Sequence, residues 1–164
     1  MLLENSNVAV RKSKNGLGLF SKRKSEDGKI IFEIIGKLIT IKKIYEVDKR
    51  TCDNTFRFSR KYYISPQGEL GDYLNHSCSP NAGVIKIGRK LFIKAIKNIK
   101  PRKEITIDYS TILANDDDWK MKCQCGSKNC RKIIVKFSTL PKQLKNKYFD
   151  LGVVPSYINK NVRN

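Results

Sequence analysis

The sequence lacks several features that would place it in common classes of protein. It contains one histidine, one tryptophan and two methionines among 164 residues. A sole histidine cannot by itself make a catalytic triad or a histidine-rich metal site. No stretch approaches about 18 consecutive apolar residues, so no transmembrane helix is predicted. Internal repeats and long linkers of glycine, serine or proline are also absent, and the length predicts one compact domain.

The first residues carry no sign of a secretory signal. Met1-Leu2-Leu3 is followed directly by Glu4 and Asn5, which leaves no apolar signal region. We therefore expect an intracellular protein without a membrane segment. The expected place is the cytoplasm, or the nucleus or host nucleus if the source is a eukaryote, a virus or a pathogen.

Acidic residues are scarce: 15 Asp and Glu stand against 34 Lys and Arg, which gives a formal net charge of +19. Such a field attracts anionic partners such as nucleic acid, an acidic protein or a substrate wrapped by DNA. The basic residues are spread along the chain rather than gathered in one block. This spread is equally consistent with lysines that merely solubilise the surface, and both interpretations stay open.

The order of β-branched residues and turn residues predicts a mostly β protein. Strands are predicted at 29–35, 37–41, 55–59 and 104–109, and a hairpin at 84–93 with Gly88-Arg89 as its two-residue turn. Helices are fewer and are predicted at 41–50 and 140–149. Ser138 or Thr139 is the expected N-cap of the second helix.

An early segment, Gly16-Leu17-Gly18-Leu19-Phe20, places two glycines close together. Glycine lets a backbone approach a ligand closely, although taken alone this pattern is more typical of an ordinary turn. A third glycine and a following helix with a downstream acidic residue are missing. Their absence excludes the dinucleotide-binding fingerprint.

Two further segments carry polar residues in unusual density. Asn75-His76-Ser77-Cys78-Ser79-Pro80-Asn81 holds the sole histidine beside a thiol. This proximity along the chain does not predict a thiol protease, because the residues of such a site must meet in space. Glu104-Ile105-Thr106-Ile107-Asp108-Tyr109 alternates polar and apolar residues and, taken alone, is typical of an amphipathic edge strand.

The cysteines number five, which is an odd count, and Cys123, Cys125 and Cys130 lie within eight residues. In a reducing compartment this pattern favours a metal over disulfides. The C-x-C-x4-C spacing suits tetrahedral thiolate coordination of zinc, and Cys78 is the natural fourth ligand. Cys52 remains as a buried apolar residue or an inert free thiol.

In content and in order, these four segments resemble the SET-domain protein lysine methyltransferases with a post-SET zinc segment, of the compact, stand-alone type. The resemblance covers roughly residues 8 to 134, and no cysteine-rich pre-SET segment is present. Two departures stand out. Ile34 occupies a position where tyrosine is common in the family, and Asp72 occupies a position where many members carry arginine.

The resemblance implies a fold of small curved β-sheets with a pseudoknot-like threaded loop, a few short helices and a zinc-bound post-SET segment. The threading would bring the NHSCSPN heptad beside the EITIDY segment. The implied organisation is a SET domain at 5–110, a linker and post-SET zinc segment at 111–134, and a C-terminal helix and tail at 135–164.

The resemblance also implies two cofactors, S-adenosylmethionine and one structural zinc ion held by Cys78 and the three clustered cysteines. The backbone around Leu17, Gly18 and Leu19 would cradle the methionine part of S-adenosylmethionine. Asn75 and the His76 backbone would hold its polar atoms. The post-SET segment would fold down over the adenine once zinc is bound.

Tyr109 is the implied catalytic residue and a cofactor contact, since it would line the channel where the lysine meets the methyl group. Phe56, Phe58 and Tyr73 are candidate channel walls. Along an extended strand Ile107 and Tyr109 share one face. Because isoleucine cannot hold a water against the amine, this placement predicts di- or trimethylation.

The implied function is methyl transfer to a protein lysine, on a histone or another chromatin- or DNA-associated protein. One alternative is a zinc-stabilised nucleic-acid-binding module, which would explain the charge and the cysteines but leaves the heptad and Tyr109 unexplained. Another is a catalytically weak SET protein that binds without turnover, against which the intact Asn75, His76 and Tyr109 argue.

Overall fold

The computed structural model describes residues 4–159, and small β-sheets dominate this part of the chain. Twelve short strands form three two-stranded sheets and two three-stranded sheets. The sequence prediction of a mostly β protein built from small sheets is confirmed.

The first hairpin pairs β1 (Val8–Ser13) with β2 (Gly16–Ser21). Gly16 adopts a φ of 103°, a conformation that glycine reaches without a steric penalty, and this allows the tight turn. A backbone hydrogen bond of 2.7 Å from the Ile105 N–H to the Leu19 carbonyl attaches the hairpin to a later segment. The GLGLF segment is therefore a strand held against the motif that ends in Tyr109.

The largest continuous ladder joins β8 (Ala82–Ile87), β9 (Lys90–Ala95) and β3 (Ile30–Ile34), with β9 in the middle. The predicted hairpin is confirmed, with Gly88 at a positive φ of 57° in its turn. Val84, Leu91 and Ile93 are fully buried and form the centre of the main core.

A second sheet joins β4 (Lys37–Thr40), β6 (Tyr62–Ser65) and β5 (Phe56–Arg57), with β6 in the middle. The strand predicted at 55–59 is shorter than expected. It ends after Arg57 because the N–H groups of Phe58 and Ser59 both turn back to the Tyr62 carbonyl.

Two very short ladders carry the remaining motifs. β7 (Asn75–His76) runs parallel to β10 (Thr106–Ile107), and β11 (Met121–Lys122) is antiparallel to β12 (Ile133–Ile134). The strand predicted at 104–109 stops at Ile107. There the Asp108 carboxylate accepts a hydrogen bond of 3.1 Å from the Ser110 N–H and caps a 3-10 helix over Tyr109–Ile112.

The helix predicted at 41–50 is wrong. A 3-10 turn at Ile41–Lys43 is followed by a separate helix α1 (Lys49–Asp53), because Asp48 caps the Thr51 N–H and starts the helix only there. A further 3-10 turn covers Leu70–Tyr73, just before β7.

The helix predicted at 140–149 is confirmed as α2 (Lys142–Asp150), but its expected cap is wrong. Ser138 and Thr139 belong to a preceding 3-10 turn over Phe137–Thr139, and Pro141 stands at the N-cap without a side-chain hydrogen bond. A short α3 (Ser156–Asn159) follows. Among residues 4–159, no helix has the length and the apolar character needed to cross a membrane.

Candidate active site and metal centre

The NHSCSPN heptad and the EITIDY segment lie side by side, as the resemblance implied. In the parallel ladder Asn75 pairs with Thr106 and His76 with Ile107. The side chain of Asn81 locks the pair from the other end of the heptad. Its Nδ2 donates 2.7 Å to the Glu104 carbonyl, and its Oδ1 accepts 2.9 Å from the Thr106 N–H.

The glycine segment contacts the same ladder through the carboxylate of Glu104. Glu104 Oε1 accepts hydrogen bonds from Ser13 Oγ at 2.7 Å and from Asn75 Nδ2 at 2.8 Å, and Asn75 Nδ2 also lies 3.0 Å from the Leu17 carbonyl. A Cβ on Gly18 would clash with this carboxylate and lie 2.8 Å from Asn75 Nδ2. Glycine is therefore required here by close approach, and Glu104 is a site residue that the sequence analysis did not single out.

Tyr109 occupies the point where the site elements meet. Its hydroxyl donates 2.5 Å to the Leu74 carbonyl, and its backbone N–H donates 3.1 Å to Nδ1 of His76. Burial, together with the negative charge of Glu104, raises the pKa of the Tyr109 hydroxyl well above its ordinary value. The hydroxyl therefore keeps its proton and is not a general base.

Two cavities reach Tyr109. The first, which we call the Phe56 cavity, measures about 210 Å³ and is lined among others by Phe56, Leu74, Tyr109, Ile112, Leu113, Trp119 and the aspartates 53, 72, 117 and 118. The second, which we call the Asn75 cavity, measures about 580 Å³ and is lined among others by Lys14, Asn75, His76, Tyr109, Trp119, Lys120, Cys123 and Cys125. Tyr109 and Trp119 belong to both walls, so the two cavities approach the same hydroxyl from different sides.

The expected channel walls are placed in part. Phe56 lines the Phe56 cavity, whereas Phe58 and Tyr73 line neither cavity at Tyr109 and pack against the main core. Ile107 also lines neither cavity and is fully buried in that core. Its expected place beside the Tyr109 hydroxyl is not found, because the strand ends at Ile107 and its alternation does not extend to Tyr109.

Trp119 is a wall residue that the sequence analysis missed. Its ring lies 6.0 Å from that of Tyr109 in an edge-on arrangement, and its indole Nε1 donates 2.8 Å to Oδ1 of Asp53. The available signal was its being the sole tryptophan, next to an acidic loop and the cysteine cluster. This bond joins the segment after Tyr109 to helix α1.

The cysteine cluster is brought together as predicted. The possible ligand atoms of His76, Cys78, Cys123 and Cys125 all lie within 4.8 Å of one another, and the Cys78 and Cys123 sulfurs are 3.8 Å apart. Cys130 packs in the same cluster, with its thiol 3.7 Å from the Cys123 carbonyl oxygen. None of the five cysteines forms a disulfide.

The chemistry of this donor set fits zinc. Thiolates with at most one imidazole are the usual ligands of structural zinc sites. Although burial opposes it, hydrogen bonds from the Cys78 N–H and from Ser127 lower the pKa of Cys125 to about 6. At neutral pH this sulfur is therefore already available as a thiolate. Cys52 lies apart, in the wall of the Phe56 cavity.

His76 links the cysteine cluster to Tyr109. Burial lowers the pKa of His76 to about 4, so the ring is neutral. Its Nδ1 accepts the hydrogen bond from Tyr109, and its Nε2 lies 3.3 Å from the Cys78 sulfur. The sequence analysis assigned only the backbone of His76 to the site, whereas the ring itself stands between the two centres.

Asp108 connects three parts of the chain and was also missed as a site residue. Its buried carboxylate accepts 2.7 Å from Nη2 of Arg131, beside the cysteine cluster, and 2.7 Å from the hydroxyl of Tyr148 in α2. The residue before Tyr109 thus anchors both the cysteine segment and the C-terminal helix.

With this geometry in place, comparisons with known proteins identify the family. The SET domain family model matches residues 16–110. The chain therefore belongs to the SET-domain family, and the resemblance inferred from the four segments is confirmed.

The chain is similar to human histone-lysine N-methyltransferase 2D, at 34% identity over 140 residues that cover 77% of this chain and 2% of that protein. The Drosophila melanogaster histone-lysine N-methyltransferase trr is 33% identical over 77% of this chain and 6% of its own length. A Saccharomyces cerevisiae histone-lysine N-methyltransferase described as H3 lysine-4 specific is 29% identical, over 74% of this chain and 12% of its own length. The chain thus spans a small part of each of these relatives.

Proposed function

We propose that this protein transfers a methyl group from S-adenosylmethionine to a lysine side chain of a protein. The observation that carries the proposal is the convergence of two cavities on one tyrosine hydroxyl that cannot ionise, within a SET domain. The printed activity of the relatives, histone-lysine methylation, supports lysine as the acceptor.

The Asn75 cavity fits S-adenosylmethionine. Gly18 keeps its side of the site open for close backbone approach, and lysines around the cavity suit a carboxylate such as that of methionine. When bound, this cofactor supplies a methyl group on a sulfonium, which is a good leaving group. The residues proposed to hold it are Leu17, Gly18, Leu19, Asn75, His76 and Tyr109.

The proposed zinc ligands are Cys78, Cys123, Cys125 and Cys130, with the His76 ring within reach of the same centre. Zinc supplies structural cross-linking here, since it ties the segment that walls the Asn75 cavity to the heptad. We keep the domain limits of 5–110, 111–134 and 135–164 as part of this proposal.

The protein's part in the reaction is to position and to exclude water. A lysine amine has a reference pKa of about 10.4, so presenting it neutral at pH 7 costs roughly 4.6 kcal/mol. Apolar groups around Tyr109, including Leu74, Ile112 and Trp119, disfavour the charged ammonium form. The Tyr109 hydroxyl, whose proton is bonded to the Leu74 carbonyl, offers its oxygen to orient the amine.

We further propose that the substrate is a histone or another chromatin- or DNA-associated protein, which would place the enzyme in a nucleus or a host nucleus. The net charge of +19 supports an accessory affinity for DNA. Such binding should be independent of sequence and should weaken steeply with salt. DNA binding that ignores ionic strength would show that the charge is not its cause.

The test of the proposed function is methylation of a peptide array with isotope-labelled S-adenosylmethionine and the purified protein. Label on lysine-containing peptides, and none on matched peptides with arginine in place of every lysine, is the expected result. A protein that binds DNA or S-adenosylmethionine but labels nothing would favour the alternatives, a nucleic-acid-binding module or a SET protein without turnover.

A further inference from the structure

Asp72 stands beside the catalytic centre, at the boundary of two cavities. It belongs to the 3-10 turn Leu70–Tyr73, two residues before the carbonyl of Leu74 that accepts the Tyr109 hydroxyl. It lines the Phe56 cavity and also a polar cavity of about 410 Å³, which we call the Gln67 cavity. Asn54 is the other residue common to both, so the two cavities are adjacent.

One half of the Asp72 carboxylate is used by the fold and the other half is not. Oδ2 accepts a hydrogen bond from the N–H of Gly68. Oδ1 is buried and has no hydrogen-bond partner among the residues that the structure describes. A buried acceptor without a donor is unfavourable, and an ionised one is more so. Its position in a cavity wall indicates that a ligand supplies the donor.

The other carboxylates near this point already have partners. Asp53 accepts from Trp119 at 2.8 Å, and Asp117 accepts from Arg57 at 2.8 Å. Asp118 is 89% exposed in its side chain and lies 4.0 Å from the amine of Lys136. Asp72 is therefore the carboxylate in the Phe56 cavity with a buried oxygen left to bind a ligand.

We propose that Asp72 binds the guanidinium group of an arginine that neighbours the target lysine in the substrate. This inference rests on the proposed function and specifies its substrate class. A cation is favoured because the free atom is a carboxylate oxygen. Guanidinium is favoured because Ser65 and Gln67, with further oxygen acceptors, line the same polar cavity, and arginine presents five donors in a planar fork.

This assignment also accounts for how a chain of charge +19 admits a basic peptide. The overall field repels such a peptide, whereas a local carboxylate in a cavity of low dielectric attracts its cation strongly. The position at 72 is one where many members of the family carry arginine, so the charge at this point is reversed relative to them.

The test uses pairs of peptides that differ only in arginine or glutamine at one position, scanned over the three residues on either side of the target lysine. Steady-state kinetics are measured for the wild type, Asp72→Asn and Glu69→Gln. Glu69 is the matched control, an exposed carboxylate three residues away whose side chain caps nothing. Thermal melts check that each variant folds.

At one flanking position, the wild type should prefer arginine by roughly ten- to a hundredfold in KM, the range of a charge-assisted hydrogen bond. Asp72→Asn should lose this preference while kcat stays within about twofold, and Glu69→Gln should keep it. Binding of the same peptides, with norleucine in place of the target lysine, should follow the same order in fluorescence anisotropy.

Equal losses for arginine and glutamine peptides in Asp72→Asn would overturn the inference, as would the absence of any position with an arginine preference. If the protein binds the arginine peptide through Asp72 but transfers no methyl group, the proposed function fails and this inference stands. If it methylates lysine with no role for Asp72, the reverse holds.

Discussion

The two cavities that meet at Tyr109 differ in the sign of the charge around them. The Asn75 cavity is lined by four lysines, at 14, 49, 120 and 122, and by one aspartate, Asp53. The Phe56 cavity is lined by four aspartates, at 53, 72, 117 and 118, and by one arginine, Arg57. A net charge of +19 therefore says little about the local field at the site. One face suits a carboxylate-bearing ligand and the other suits a cationic peptide.

The cavities also differ in how they are held together. Arg57 is buried and makes 2.8 Å ion pairs with Asp116 and Asp117, and Tyr63 completes the network, so the Phe56 cavity rests on the folded core. The Asn75 cavity is walled instead by residues 119–125, which include the two-residue strand β11 and two of the clustered cysteines. One wall is thus built by packing and the other depends on the metal centre.

The largest effect is expected where the cavities meet. Tyr109→Phe removes the hydroxyl from both faces and should lower kcat by about 10² to 10⁴-fold, the range for loss of a positioned polar group. Binding of S-adenosylmethionine, measured by calorimetry, should change far less. A variant that turns over like the wild type would show that Tyr109 is not the catalytic residue.

Loss of the metal should separate the two cavities. Removal of zinc by a chelator, or Cys125→Ser, should weaken cofactor binding by about ten- to a hundredfold, since ligand loss loosens the wall of the Asn75 cavity. Peptide binding at the Phe56 cavity and the melting temperature of the β core should change little. Cys52→Ser is the control.

Metal analysis of the purified protein provides the direct check on this prediction. One zinc per chain is expected from the cysteine cluster. Metal content near zero after gentle purification, or disulfides among these cysteines, would contradict the zinc assignment.

Gly18→Ala should affect the cofactor face by a smaller amount. The added Cβ displaces the Glu104 carboxylate from Ser13 and Asn75, which costs about one hydrogen bond, or roughly tenfold in cofactor affinity. The KM for peptide should be unchanged. Gly28→Ala, at a positive φ in a turn that touches neither cavity, tests whether any glycine loss has the same result.

The smallest expected effects come from exposed charges on the two faces. Lys120→Gln should raise the KM for S-adenosylmethionine and Asp118→Asn the KM for peptide, each by less than about fivefold, because solvent screens such charges. Both effects should vanish near 1 M salt. If the two variants affected the same ligand, the assignment of the faces by charge would be wrong.

Local patterns in the sequence were sufficient for several parts of this protein. The alternation of apolar residues and the glycine turn predicted the hairpin of β8 and β9, since a strand and a two-residue turn are defined by neighbours along the chain. The four motifs in order predicted the family, the cysteine cluster and the meeting of the heptad with Tyr109. By contrast, residues 41–50 carry helix-forming side chains, yet the cap at Asp48 delays the helix.

Other parts were decided only by the tertiary structure. Glu104 meets Ser13 across 91 residues of sequence, Asp108 meets Arg131 and Tyr148, and Trp119 meets Asp53 across 66. No periodicity encodes these contacts, because they form only when the threaded segments close against one another. The sequence by itself determined which reactive groups exist and which short elements carry them. The fold decided which carboxylates are already paired and which, like that of Asp72, keep a buried oxygen for a ligand, since burial and pairing depend on distant neighbours.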